Sequence, residues 1–231
     1  MAKLLSLVRS GPIDGTFQGG DFRFHYFDNG TELGALLNPS YNQEEIDFLR
    51  RNIPKGGTFI DIGANIGLYA IVISKHVGPN GRVIAIEPHP TASERLKFNC
   101  SASNLTNLEV AQVAVAASPG RLMIVSDENN LGASRVGNSG VTVSREPLTT
   151  ILAERKVSTI DALKIDVEGY EDQALAPFFR DAPPSLWPRS VVIEHLSHGE
   201  WQTDCLTLMM GLGYKIEGKT RSNTMLVGSA N

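Results

Sequence analysis

The stretch TFIDIGANIGLYA, residues 58–70, decides the fold. Thr58 to Ile62 is an apolar run of strand type, Gly63 to Gly67 is a glycine turn, and the apolar helical pattern that follows is closed by Gly78. A strand that enters a helix through such a turn aims the free N–H groups of the helix N-terminus at whatever lies over it. Further along, strand and helix signals alternate. RVIAIE (82–87), NLEVAQVAV (107–115), DALKID (161–166) and SVVIEH (190–195) read as strands. One helix opens near Thr91, with Glu94 three residues on as a capping box, and an amphipathic segment runs from Tyr170 to Phe179. GYKIEG and NTMLVG close the chain as a hairpin. Apolar strands alternating with helices predict an α/β fold: a mostly parallel sheet, helices on both faces, and an antiparallel pair at the end.

Upstream, YNQEEIDFLRRNIP reads as a helix with Asn42 and Glu45 as a capping box and an end at Pro54. In FRFHYFDNGTEL, Phe22, Phe24 and Tyr26 alternate with polar residues ahead of an expected hairpin turn at Asp28-Asn29-Gly30. Residues 1–40 are therefore expected to form an N-terminal cap and residues 41–231 the main domain. One segment breaks the alternation: GRLMIVSDENNLGASRVGNSGVTVSREPLTTIL reads as an inserted β-hairpin with a polar, glycine-rich loop from Asp127 to Gly140. A surface hairpin, and a lid or acceptor-contacting loop at the ligand end of the sheet, are both consistent with it.

Among 231 residues, 21 Lys and Arg face 25 Asp and Glu with no basic block, which argues against a nucleic-acid partner. Cys100 and Cys205 are the two cysteines and are expected as free thiols in a reducing compartment. MAKLLSLVRSG is too short for a signal sequence, and no run reaches membrane-spanning length. A soluble cytoplasmic protein is expected.

The turn discriminates between cofactors. A dinucleotide site uses Gly-x-Gly-x-x-Gly, whose second glycine lets the backbone approach a pyrophosphate. Here the run is Gly63-Ala64-Asn65-Ile66-Gly67, and Asn tolerates the left-handed backbone while adding a side chain. Asp61 lies inside the strand, where an ionised carboxylate needs a cationic or donor-rich partner. S-adenosylmethionine carries an ammonium and a sulfonium and no pyrophosphate. Glu87, at the end of the next strand, stands where ribose hydroxyls would bind. An NAD-dependent oxidoreductase is the weaker alternative.

FIDIGANIGLYA with VIAIEPHP, and later ALKIDVEGYE, together resemble the FkbM-type S-adenosylmethionine-dependent methyltransferases over roughly residues 41–228, KIDVEG being the most specific mark. The resemblance implies a class I, Rossmann-like methyltransferase sheet of seven strands in the order 3-2-1-4-5-7-6, the last antiparallel. It implies methylation of a hydroxyl on a sugar or secondary metabolite, with S-adenosylhomocysteine as product. Gly63, Asn65 and Gly67, with Ala64, would line the methionine portion and Asp61 support it; Glu87, with Pro88, would bind the ribose; Val113, Ala114 and Val115 would edge the adenine. The family usually carries a Leu-Asp pair after the inserted hairpin, and Ile151 stands at the Asp position here.

A methyl sulfonium is already activated, so the acceptor oxygen must be aligned and its proton removed by a base or a metal. Asp166, by the resemblance also a cofactor contact, and the pair Glu194-His195 lie at strand ends facing that point. His195 is the base best matched to neutral pH. Glu168 reads more simply as a helix N-terminal charge. Mg²⁺ held by Asp166 and Glu194 is a minority alternative, no third ligand being evident. Tyr41, Asn42 and Glu44 are candidates to close over the cofactor or touch the acceptor. Trp187 and Trp201 could stack on a sugar but read first as packing. His198 could be surface or acceptor-binding. A non-catalytic cofactor-binding subunit is the reading from another class; Asp166, Glu194 and His195 argue against it.

Overall fold

A computed structural model describes residues 11–127 and 130–228; the N-terminal run read above for a signal sequence lies outside them. Seven strands form the main sheet: β3 (Thr58–Ile62), β4 (Arg82–Ile86), β5 (Leu108–Ala111), β10 (Ala162–Ile165), β11 (Ser190–Glu194), β12 (Lys215–Lys219) and β13 (Asn223–Val227). Their order is β5-β4-β3-β10-β11-β13-β12, with β13 antiparallel to both its neighbours. Counted along the chain this is 3-2-1-4-5-7-6, the class I methyltransferase order. Buried residues fill β10 and β11 throughout and β3 and β4 after their first residue, as strands covered on both faces require.

Two apolar layers sandwich the sheet. On one face Phe59 and Val83 pack against α2 (Gln43–Asn52), α3 (Leu68–Val77) and α4 (Pro90–Ala102). On the other, Ile60 and Leu163 pack against α5 (Leu148–Glu154), α6 (Glu171–Asp181) and α7 (Cys205–Gly211). Ile151 belongs to this second layer and is 1% exposed, so a carboxylate there would be buried among hydrocarbon.

Several local expectations are corrected. The N-terminal hairpin, β1 (Ile13–Phe17) and β2 (Gly20–Phe24), turns at Gln18-Gly19 rather than at Asp28-Asn29-Gly30. There Asn29 instead caps α1 (Gly30–Leu37), its side chain accepting the Thr31 and Glu32 N–H groups. Asn42 occupies the cap position of α2 in a left-handed conformation and makes no side-chain capping bond, and Glu45, the other half of the expected box, is engaged by Thr220 and Asn223 instead. Thr91 lies inside α4, which begins at Pro90 with His89 at its cap.

The third strand ends at Ala111. Ala114–Val115 (β6) leaves it to pair with β9 (Val141–Glu146), which pairs in turn with β7 (Gly120–Asp127), a second sheet completed by β8 (Asn130–Gly137). The loop expected over 127–140 thus contains a strand. Its polar residues are compatible with pairing because β8 is an edge strand, with β7 as its one strand partner among the described residues.

Candidate active site

The carboxyl ends of β3, β4, β10 and β11 open into one cavity of roughly 270 Å³, small for a ligand pocket, roofed by β7 and β8. Its floor is the turn after β3. Gly63 and Ala64 donate to Ile86 O at 2.9 and 3.1 Å, and Gly67 N closes the turn on Ala64 O at 2.8 Å. Gly63 has φ 74°, and a Cβ there would fall 1.8 Å from Asp166 O at the end of the adjoining strand. Only glycine satisfies both constraints. Gly67 does not line the cavity; at φ 91° it lets Leu96 of α4 pack against the turn, where a Cβ would meet Leu96 Cδ1 at 2.3 Å. Asn65 is left-handed at φ 50°, the role glycine fills in a dinucleotide turn.

Glu87, just past the end of β4, is bonded directly to this turn. Its Oε2 accepts Asn65 N and its Oε1 accepts His89 N, both at 2.8 Å, so the side chain is fixed while each oxygen keeps a free lone pair. Burial raises its pKa to about 7. Pro88, Val113, Ala114 and Val115 continue the lining beyond Glu87. These features fit an adenosine: an acceptor pair for a diol, then an apolar slot for a base. At the other end of the turn, Tyr69 lines the cavity with a buried, unpartnered hydroxyl, a donor suited to an amino-acid carboxylate.

Asp61 is fully buried and does not line the cavity. The cation that faces it is the protein's own Lys164, whose Nζ lies 4.0 Å from Asp61 Oδ1 and 3.3 Å from Asp166 Oδ2, with the Tyr69 ring centroid at 4.9 Å. Burial pushes the Asp61 pKa up to about 6 against the pull of Lys164. Burial opposes the charge on Lys164, but Asp166 and Asp61 outweigh it and raise its pKa. A direct ligand contact for Asp61 is thus replaced by an internal one. Sequence reading passed over Lys164, although a lysine in the middle of an apolar strand was its signal.

Asp166, Glu168 and Glu194 all line the cavity. Glu168 takes a left-handed φ of 53° immediately before Gly169 and α6, which places it on the cavity wall; Glu171 and Asp172 fill the helix first turn instead. Its pKa rises to about 7 through burial and the neighbouring Asp166, Glu194 and Glu171. Glu194 also rises to about 7, chiefly by burial. Its Oε1 accepts the Leu196 N–H, whereas Oε2 is buried without a hydrogen-bond partner.

His195 is not part of the lining: its Nδ1 lies 3.0 Å from Thr224 Oγ1, and burial lowers its pKa. At the end of β11 the Glu194 side chain turns into the cavity, whereas His195, one residue beyond the strand, turns to Thr224. Tyr41 and Asn42 line it, whereas Glu44 is exposed outside. The tryptophans are structural, Trp187 donating to Ala182 O and Trp201 to Glu171 Oε2. His198 is paired with Asp204 at 3.2 Å.

A clasp that the sequence did not disclose covers the turn. Asn29 Nδ2 donates to Asn65 Oδ1 at 3.0 Å, Arg95 of α4 holds Asp28 at 2.6 Å and Glu32 at 2.8 Å, and Leu131 N of β8 donates to Asp28 O at 2.7 Å. The N-terminal segment is thereby bolted to the cofactor turn, to α4 and to the roof.

Residues 61–216 match the model of the methyltransferase FkbM domain. The chain belongs to this family. It is an S-adenosylmethionine-dependent methyltransferase, and the matched span runs from the end of β3 to the start of β12, taking in every strand end that forms the cavity. Over 180 residues, 62% of this chain and 68% of the other, it is 25% identical to methyltransferase sdnD of Sordaria araneosa. In fold it is similar to an rRNA methylase from Streptococcus thermophilus, at TM-score 0.50 and 11% identity over 81% of this chain and 95% of that one. It is also similar to cofactor-bound Rv0187 from MTB, at TM-score 0.50 and 16% identity over 81% of each chain.

Proposed function

We propose that this enzyme methylates a hydroxyl of a small polar acceptor, a sugar or secondary metabolite, with Glu194 as the general base. The observation that carries this reading is Glu194 Oε2, buried in the cavity wall with no partner. A hydroxyl needs such an acceptor for its proton, and a carboxylate with a pKa near 7 is matched to neutral pH. When bound, S-adenosylmethionine supplies an electrophilic methyl group. Gly63, Ala64 and Asn65 hold its amino-acid portion, Glu87 its ribose, and Val113 with Ala114 its adenine. Asp166 orients the acceptor side, and β8 with the N-terminal clasp excludes water from the reacting centre. The buried thiols of Cys100 and Cys205 suit a reducing cytoplasm.

Calorimetry with S-adenosylhomocysteine, followed by turnover on a panel of hydroxylated acceptors, tests this. Glu194→Gln is expected to retain product binding and to lose about 10²–10⁴-fold in turnover. Full turnover in that variant would remove Glu194 from the mechanism. An EDTA arm tests the alternative in which Asp166 and Glu194 hold Mg²⁺: activity lost with EDTA and restored by Mg²⁺ would establish it.

A further inference from the structure

The acceptor end of the cavity carries negative charge that neither the protein nor the cofactor balances. Lys164 is committed to Asp61 and Asp166. Those three groups leave one net negative charge, which the one net positive charge of S-adenosylmethionine offsets. Glu168 and Glu194 remain, both carboxylates once the pH exceeds about 7, and among the described residues neither forms an ion pair. Arg135, also on the lining, sits exposed on β8 and is paired with neither. Glu194 is 5% exposed, yet its Oε2 has no hydrogen-bond partner, an arrangement that a ligand group must complete. Among the described residues no three His, Cys, Asp or Glu side chains are grouped as metal ligands, so the carboxylates suit a larger, polyatomic cation.

We infer that the acceptor is an amino alcohol in the broad sense, such as an amino sugar, whose protonated amine is held by Glu168 while its hydroxyl faces Glu194. This rests on the methyl-transfer reading above and adds the substrate class to it. An ammonium donor beside two unpaired carboxylates makes charge-assisted hydrogen bonds that a neutral polyol cannot make. The left-handed backbone at Glu168 is what puts the first carboxylate on the cavity wall.

The test uses the full chain saturated with S-adenosylhomocysteine, titrated with 2-aminoethanol and 3-amino-1-propanol or with ethylene glycol and 1,3-propanediol, at ionic strength matched with NaCl. The amino alcohols are expected to raise Tm and the diols to leave it unchanged. Glu168→Gln is expected to lose the amine response while binding S-adenosylhomocysteine as before, which shows that the variant is folded. Equal responses to amines and diols, or an undiminished amine response in Glu168→Gln, would overturn the inference alone. If the wild-type chain fails to bind S-adenosylhomocysteine, the methyl-transfer reading falls and this inference with it. In a parallel incubation of the amino alcohols with S-adenosylmethionine in place of S-adenosylhomocysteine, a methyl group recovered on nitrogen would overturn both O-methylation and the placement of the amine at Glu168.

Discussion

Lys164 and Asp166 face each other across 3.3 Å at the end of β10, and behind the lysine lies Asp61, fully buried and without a hydrogen-bond partner. Removing the ammonium leaves Asp61 as an uncompensated buried charge. Lys164→Met should therefore lower stability by about 3 kcal/mol at pH 8. The loss should shrink towards pH 5, because Asp61, already raised to about 6, then takes up a proton. Urea unfolding at the two pH values checks this, and Lys164→Met with Asp61→Asn should recover part of the loss. An equal deficit at both pH values would show that packing, not charge, is what Lys164 supplies.

The two glycines that bracket the turn should respond differently. A Cβ at Gly63 meets backbone at 1.8 Å, whereas one at Gly67 meets the end of the Leu96 side chain, which can swing away. Both substitutions carry the left-handed penalty of about 1–2 kcal/mol per residue. Gly63→Ala should in addition abolish binding of S-adenosylhomocysteine, while Gly67→Ala should retain it with a lower Tm. Calorimetry and thermal unfolding of the two variants decide the matter, and matching losses would contradict the geometry.

Glu87, Glu168 and Glu194 are each raised from 4.5 to about 7. Between those values the folded chain binds more protons than the unfolded chain. The stability these protonated carboxyls sustain is complete below pH 4.5 and is lost as pH rises through 7. The Tm of the cofactor-free protein should fall across that window, and S-adenosylmethionine should restore most at the alkaline end. A scan of Tm against pH that falls less steeply in Glu168→Gln than in wild type would assign part of the effect to Glu168, and equal slopes would remove it.

Turnover should follow the opposite direction. A base works only as the carboxylate, so the rate should rise with pH through about 7 as Glu194 loses its proton. His195, hydrogen-bonded to Thr224 outside the cavity, should be replaceable by Gln with turnover kept within about threefold. A pH–rate profile for each variant tests both statements.

Asn29 serves two partners, the first N–H groups of α1 and the side chain of Asn65. Asn29→Ala should lower stability by about 1–2 kcal/mol through the lost cap. It should also weaken S-adenosylhomocysteine binding by about tenfold, because the clasp no longer holds the turn. Asn29→Ser keeps a capping oxygen but is too short to reach Asn65, so it should separate the two effects by retaining most of the stability and losing affinity.

Local chemistry wrote much of this protein into its sequence. The strand-turn-helix at 58–70, the alternation after it and the closing hairpin are set by apolar runs and by glycines at left-handed positions, which depend on near neighbours alone. The same holds for Asn65, whose left-handed φ belongs to its residue type, and for Glu87 at the end of its strand. Other features depend on which strands become neighbours. Lys164 reaches Asp61 because β10 pairs with β3 in the register that sets them opposite each other. Glu194 and His195 are adjacent in the chain, and only the way the chain turns at the end of β11 separates the candidate base from a structural histidine. Arg95 lies far in sequence from Asp28 and Glu32, and Asn65 far from Asn29; they meet because the segment after β2 is laid against α4 and the turn, and no local pattern could signal it. Spacing along the chain thus located the methyl donor, whereas the groups that set the charge around the acceptor came from contacts across the sheet.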